Sequence, residues 1–187
     1  MKTRYLALLI GMIILCTTPS SYSQENDSFD DRETPGSYAG VEVGPTYILN
    51  DGGSGASNLL SIYFNFGFTL NKLFGLTWEN QNFTLGPKIG LNFGEPSATA
   101  DKTMFYDIIA NFRYTPGNGE NIFRPYLEAG PGLGNYTGAA LHVDVGAGLG
   151  IFYNDQDSIG LSAHYNQYFT GLVEQTATFL ATLSHHW

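Results

Sequence analysis

LLSIYFNFGFTL, residues 59–70, alternates without a break. Leu60, Ile62, Phe64, Phe66, Phe68 and Leu70 fall on one side of an extended chain. Ser61, Tyr63, Asn65, Gly67 and Thr69 fall on the other. Successive side chains of a strand point to opposite faces, so a period of two sustained this long specifies β-structure.

The same rhythm recurs seven times, over residues 38–49, 83–93, 103–114, 123–134, 141–153, 159–169 and 176–187. Most connections, such as NDGGSGASN, GEPSATAD, TPGNGEN and YNDQDS, are rich in Gly, Pro, Asn and Asp, the residues of turns. Short links between successive strands imply an antiparallel up-and-down meander. Residues 71–82, NKLFGLTWENQN, are too long for a tight turn and too apolar for a plain loop. They are either a structured loop or extensions of the flanking strands.

Volume decides which face is inside. The apolar face carries on the order of 40 side chains, many of them large, and an eight-stranded barrel has an interior only just wide enough to be filled by side chains. Of the two soluble alternatives, a lipocalin-like barrel with the apolar set inside and a β-sandwich, volume thus argues against the first. The opposite face is dominated by Gly, Ser, Thr and Asn, with charges of both signs. Glu42, Asp107, Glu128 and Asp144 face Lys88, Arg113 and Arg124, with His164 among them. Small residues and mutually neutralising charges suit a narrow lumen, and buried charges are tolerated when paired. The expectation is an all-β, eight-stranded antiparallel transmembrane β-barrel over residues 38–187, apolar face to lipid. Closure leaves no backbone edge unpaired in hydrocarbon. Aromatic residues near strand ends, such as Tyr38, Tyr47, Phe93, Tyr114, Tyr153, Phe169 and Trp187, are expected to form the interfacial girdles. Eight strands leave too little bore for a solute channel, so the lumenal charges are read as a structural network.

The start of the chain bears on location. Lys2 and Arg4 precede the apolar run LALLIGMIIL, residues 6–15, and Ser21-Tyr22-Ser23 offers small residues for cleavage before Gln24. Residues 1–23 thus read as a secretory signal peptide, and residues 24–37 as an acidic, disordered periplasmic leader. The single cysteine, Cys16, falls in the signal, so the exported part uses no disulfide. A formal net charge of −9 makes nucleic acid a poor partner. A bacterial outer membrane is the expected home. Its lipids, including lipopolysaccharide, and the barrel-insertion machinery are the expected partners of a monomer.

RPYLEAGPGLG, residues 124–134, resembles the fifth strand of small outer-membrane barrels of the opacity-protein and OmpA/OmpX type. VGAGLG, residues 145–150, and the final strand carry the same likeness. The resemblance implies an eight-stranded monomeric barrel whose function, if any is localised, resides in surface loops. It also implies that an alternating last strand ending in an aromatic, here Phe179, Leu183 and Trp187, is the signal read on insertion. On this reading His186 points into the lumen and His185 falls on the lipid-facing register, within the interfacial zone.

Three chemical readings are weighed against that structural one. The glycines at 130, 132 and 134, and at 146, 148 and 150, are spaced by two, whereas a dinucleotide loop needs G-x-G-x-x-G opening a helix. They are read as room for bulky neighbours. His185 and His186 are adjacent on a strand and point to opposite faces, so they cannot easily share a metal ion. No cofactor is expected. GLSAHYNQYFTGLVEQ, residues 160–175, resembles the C-terminal region of lipid A deacylases of the PagL type. There a histidine, a serine and a glutamate form a hydrolase triad. His164 matches the histidine and Glu174 could stand in for the acid, but the serine position holds Asn166. Ser162, one strand step before His164, is a remote substitute. The alternative function is thus a lipid-acting hydrolase using His164 and Glu174. The leading one is a non-enzymatic structural or surface-interaction role.

Overall fold

The computed structural model describes residues 36–50, 58–70, 82–94, 104–116, 121–136, 138–169 and 173–187. The expected signal peptide, nearly all of the expected leader and residues 71–81 lie outside the described residues.

Eight strands close into one antiparallel barrel, each paired with its neighbours in sequence and β1 with β8. They are β1 (Tyr38–Asn50), β2 (Asn58–Thr69), β3 (Phe83–Phe93), β4 (Met104–Tyr114), β5 (Phe123–Gly134), β6 (Ala140–Phe152), β7 (Asp157–Tyr168) and β8 (Gln175–His186). The strands thus lie within two residues of the bounds that alternation alone gives. The pairing circuit that leaves β1 at Tyr38 passes Gly67, Asn111, Asp144 and Thr176 and re-enters β1 at Ile48. This stagger is the shear that tilts the strands and sets the bore.

The barrel is inverted relative to a soluble domain. Leu60, Ile108, Leu127, Val145, Leu161 and Phe179 stand outside, Leu161 being 70% exposed. Glu42, Lys88, Asp107, Glu128, Asp144 and His164 are sealed in the lumen. Glycines make this lumen habitable by standing opposite the bulky inward side chains. Tyr38 lies over its partner Gly67 and Tyr63 over Gly90. Tyr126 covers Gly148, His142 covers Gly132 and His164 covers Gly146. A side chain at any of these glycines would meet the ring that crosses it.

Three Gly-Pro pairs have a separate role. Gly44-Pro45, Gly86-Pro87 and Gly130-Pro131 occupy the odd strands β1, β3 and β5. In each case the ladder is interrupted toward one neighbour, between Val43/Ala181 and Thr46/Thr178, between Asn65/Lys88 and Phe68/Leu85, and between Ile109/Gly132 and Phe112/Ala129. Proline has no N–H to give to the ladder. A Cβ at Gly44, Gly86 or Gly130 would run into the carbonyl of Phe179, Phe66 or Ala110 respectively. These are close backbone approaches of the kind that bend strands around a narrow barrel.

Two expectations are corrected. Tyr38 is not a girdle residue: it points inward, 2% exposed, with the Arg113 guanidinium carbon 4.0 Å from its ring centre. Its position in the alternation, opposite in phase to Ala39 and Val41, demands this. The second concerns the inner face, expected to be dominated by Gly, Ser, Thr, Asn and charges: it also carries large apolar groups. Phe105 and Ile109 lie on the inner face of β4, and Ile48, Leu59, Phe105, Tyr136, Tyr168 and Val173 form an apolar cluster at one end. That end is the mouth where β1 finishes and β8 starts. Bulky rings fill the section there that charges do not reach.

Candidate functional site: the charged lumen

Inward positions of five strands converge on one ion-pair cluster. Lys88 Nζ lies 2.7 Å from Glu42 Oε2 and 3.4 Å from Glu128 Oε2. Arg113 Nη2 lies 2.6 Å from Glu128 Oε1 and 3.7 Å from Glu42 Oε1. Two cations and two carboxylates thus neutralise one another in a layer fully shut from solvent. Asn111 Nδ2 donates to Glu128 at 2.8 Å, and Asn65 Nδ2 bridges Glu42 and Glu128 at 3.3 and 3.2 Å. These amides occupy carboxylate lone pairs that the cations leave, as a buried pair requires. The Arg113 guanidinium carbon lies over the rings of Tyr38 and Tyr126, 4.0 and 4.1 Å from their centres. The planar cation is therefore held by two rings and two carboxylates.

His164 extends the cluster. Its Nδ1 lies 3.1 Å from Asp144 Oδ2, and its Nε2 lies 3.1 Å from Lys88 Nζ and 3.3 Å from Glu128 Oε2. Both ring nitrogens face charged groups, so neither activates a hydroxyl. Ser162 sits two residues earlier on the same inner face, its Oγ making no hydrogen bond to His164. Glu174 follows the end of β7, where its carbonyl accepts from Tyr168 N at 2.8 Å and Gln167 Nε2 at 3.1 Å. That is four strand residues from His164. The hydrolase constellation requires a base on its nucleophile, and the structure does not bring His164, Ser162 and Glu174 together in that way.

Asp107 and Arg124 belong to other layers. Asp107 is the centre of a second cluster nearer the apolar mouth. It accepts from Tyr63 Oη at 3.2 Å, Asn92 Nδ2 at 3.1 Å, Tyr168 Oη at 3.2 Å and Tyr136 Oη at 3.4 Å. His142 stacks on Tyr168, with ring centres 4.6 Å apart, and brings Nε2 to 4.0 Å from Asp107. Sequence reading places Asp107 and Tyr63 on the inner face; it does not name Tyr168, whose phase on β7 is inward, or Tyr136, which lies beyond the end of β5. Arg124 lies toward the opposite end, its guanidinium 4.1 Å from the Phe152 ring centre and its Nε donating to Asn121 O at 2.9 Å. The eight expected lumenal residues are all buried, but they occupy three layers rather than one network.

The two C-terminal histidines separate as their phase demands. His186 is inward and shares 3.2 Å with Ser158 Oγ. His185 is outward and pairs with Asp157 at 2.8 Å, a partner that alternation could not supply. Trp187 N donates to Ser37 O at 2.9 Å, tying the end of β8 to the start of β1. Among the described residues no group of three or more His, Cys, Asp or Glu could hold a metal ion.

No protein-family model matches the sequence, and no curated protein does. Solved structures do share the fold. Neisserial surface protein A superposes with a TM-score of 0.58 at 14% identity, covering 81% of this chain and 97% of that one. Ail, the attachment invasion locus protein of Yersinia pestis, gives 0.54 at 11% identity, with 82% and 100% covered. The N-terminal β-barrel domain of Pseudomonas aeruginosa OprF gives 0.52 at 14%, again with 82% and 100% covered. The likeness at these identities is one of fold.

Proposed function

We propose that this chain is a bacterial outer-membrane barrel with a non-enzymatic role, structural or in surface interaction. The observation that carries this is the inversion of the barrel: an apolar outer band around a lumen of paired charges. Water would leave the outer band uncompensated, whereas hydrocarbon welcomes it and requires the closed ladder that the chain forms. The fold is shared with Neisserial surface protein A and with Ail, whose names describe surface and attachment proteins. Outer-membrane lipids, lipopolysaccharide among them, would contact Leu161 and its neighbours. The insertion machinery would read Phe179, Leu183 and Trp187.

An ion-paired layer and a hydrogen-bonded layer around Asp107 across the lumen support a plugged, rigid scaffold over a conduit or a catalyst. Comparing lipid A by mass spectrometry from cells with and without the protein tests the class. The proposal expects identical acylation. A missing acyl chain that reappears in His164→Gln would replace it with the hydrolase reading. Cell fractionation tests the location, and recovery of the protein soluble and without detergent would contradict it.

A further inference from the structure

We infer that Asp107 is the centre of a metal site, built for a ferric ion held by tyrosine oxygens, toward the end of the lumen where β1 finishes and β8 starts. Asp107 is buried on the inner face of β4. Among the described residues the one base within 4.0 Å of it is His142, whose Nε2 stands at that distance from Oδ1. Lys88 and Arg113, the cations of the ion-pair layer, are engaged with Glu42 and Glu128. Buried charges are as a rule paired or bound to a metal. Asp107 is surrounded by phenols instead: Tyr63 and Tyr136 donate to Oδ2 at 3.2 and 3.4 Å, and Tyr168 to Oδ1 at 3.2 Å.

Five segments of the chain deliver this ligand set. Tyr63 comes from β2, Asp107 from β4, Tyr136 from just past β5, His142 from β6 and Tyr168 from the end of β7. Two glycines make the room. A Cβ at Gly134 would strike Asp107 Oδ1, and one at Gly132 would strike the imidazole of His142. The rings are fixed in advance. Tyr136 stacks on Phe105 with centres 5.2 Å apart and meets Tyr168 edge-on at 5.5 Å, while His142 lies against Tyr168. Little side-chain freedom is left to lose when an ion enters, which favours binding.

Spacing and charge set the class. A small octahedral cation with bonds of about 2.0–2.1 Å holds neighbouring oxygens about 2.9 Å apart. The phenol and carboxylate oxygens need only a slight contraction to reach that spacing. An ion so placed takes the space of the phenolic hydrogens, so it requires no separate cavity. Two phenols release their protons to solvent as it binds. With the Asp107 carboxylate they supply three negative charges, and His142 binds through a neutral ring nitrogen. A trivalent ion then leaves this part of the lumen without net charge. Calcium and magnesium prefer carboxylate, carbonyl and water oxygens, and they are too weakly acidic to draw protons from phenols. Phenolate oxygens beside an imidazole suit iron.

The test loads the full chain as it folds, so that the ion need not pass the closed mouth. The protein is refolded from urea into detergent with ferric citrate, and unbound metal is removed by gel filtration. One iron per barrel is expected by elemental analysis, with the visible charge-transfer band that phenolate oxygens give on iron(III). Tyr63→Phe and Tyr168→Phe, which remove a hydroxyl and keep the ring, should each lower the iron retained and weaken the band. Asp107→Asn should reduce affinity by at least the about 10–100-fold that loss of an outer-shell partner costs. Tyr38→Phe, in the ion-pair layer, should change neither readout. Heat-modifiable migration establishes that each variant has folded, and if Asp107→Asn does not, the two Tyr→Phe variants decide. A folded barrel that retains no iron overturns the proposal. So does iron retained without the band, or retained equally by Tyr63→Phe and Tyr168→Phe. Retention of zinc in preference to iron, when both are offered, overturns the ferric assignment.

Discussion

Lys88 Nζ and Glu42 Oε2 stand 2.7 Å apart, joining β3 to β1 across the lumen, with both side chains shut off from solvent. No single segment of sequence contains this pair. It exists because β1 and β3 both pair with β2 and their inward positions meet in one layer of the curved sheet. Removing one member leaves an uncompensated buried charge, and such breaks cost about 3–5 kcal/mol. Lys88→Met is therefore expected to lower the unfolding free energy by that amount in urea titrations of the barrel in lipid. Glu42→Leu combined with Lys88→Met should cost less than the sum of the two single changes, by about 1 kcal/mol or more. Strict additivity would mean that the two groups do not interact.

Gly130 and Gly150 separate close approach from mere smallness. A Cβ at Gly130 meets the Ala110 carbonyl, while at Gly150 the nearest atom is 3.7 Å away. Gly130→Ala should destabilise the barrel by about 1–3 kcal/mol, and Gly150→Ala should be close to neutral. The heat-induced shift in gel mobility, followed against temperature, reads both. Equal behaviour of the two variants would remove the argument for ladder breaks at the Gly-Pro pairs.

The outer band can be probed with charge. Leu161 stands in the middle of β7 facing out. Arginine on the lipid face of a barrel costs about 2–4 kcal/mol at the bilayer midplane and about 0–1 near the interfaces. Leu161→Arg is expected to show the larger loss, and His185→Arg, at the strand end, the smaller. A stability unaffected by Leu161→Arg would imply that water bathes this face.

Trp187 closes the alternating last strand, half exposed, with its N–H on Ser37 O. Trp187→Ala should reduce the amount of barrel assembled in the outer membrane while leaving export across the inner membrane intact. The assay is the ratio of heat-modifiable to unassembled protein in envelope fractions. Undiminished assembly would remove Trp187 from the insertion signal.

Period-two alternation was enough to draw the strands, their order and the two faces, because one face of every strand had to match one medium. It was weaker wherever inward positions carry apolar groups. Phe105 and Ile109 share the phase of Asp107 on β4, so their position was legible, but equating apolar with outward concealed it. Tyr63 falls on the inner face by alternation alone, whereas the inward phase of Tyr168 is easily passed over and Tyr136 lies beyond the end of β5, where no phase applies. His164 and Asp144 could be placed in the lumen from phase, yet their contact depends on the β6–β7 register, which no local pattern specifies. The triple Gly-Pro signature was visible in the sequence. Its meaning emerged only once each pair was seen to face a break in the ladder.

The central claim is that the apolar face meets lipid and the charged face does not. Nitroxide labels placed singly at 142, 143, 144 and 145 of β6, in a Cys16→Ser background in bilayers, test it most directly. Val143 and Val145 are outward, whereas His142 and Asp144 are inward. Oxygen collision rates, which rise in hydrocarbon, should be high at 143 and 145 and low at 142 and 144, with little access for a water-soluble nickel reagent at the outward sites. Nickel access at 143 and 145, or oxygen access with no alternation along β6, would contradict the account.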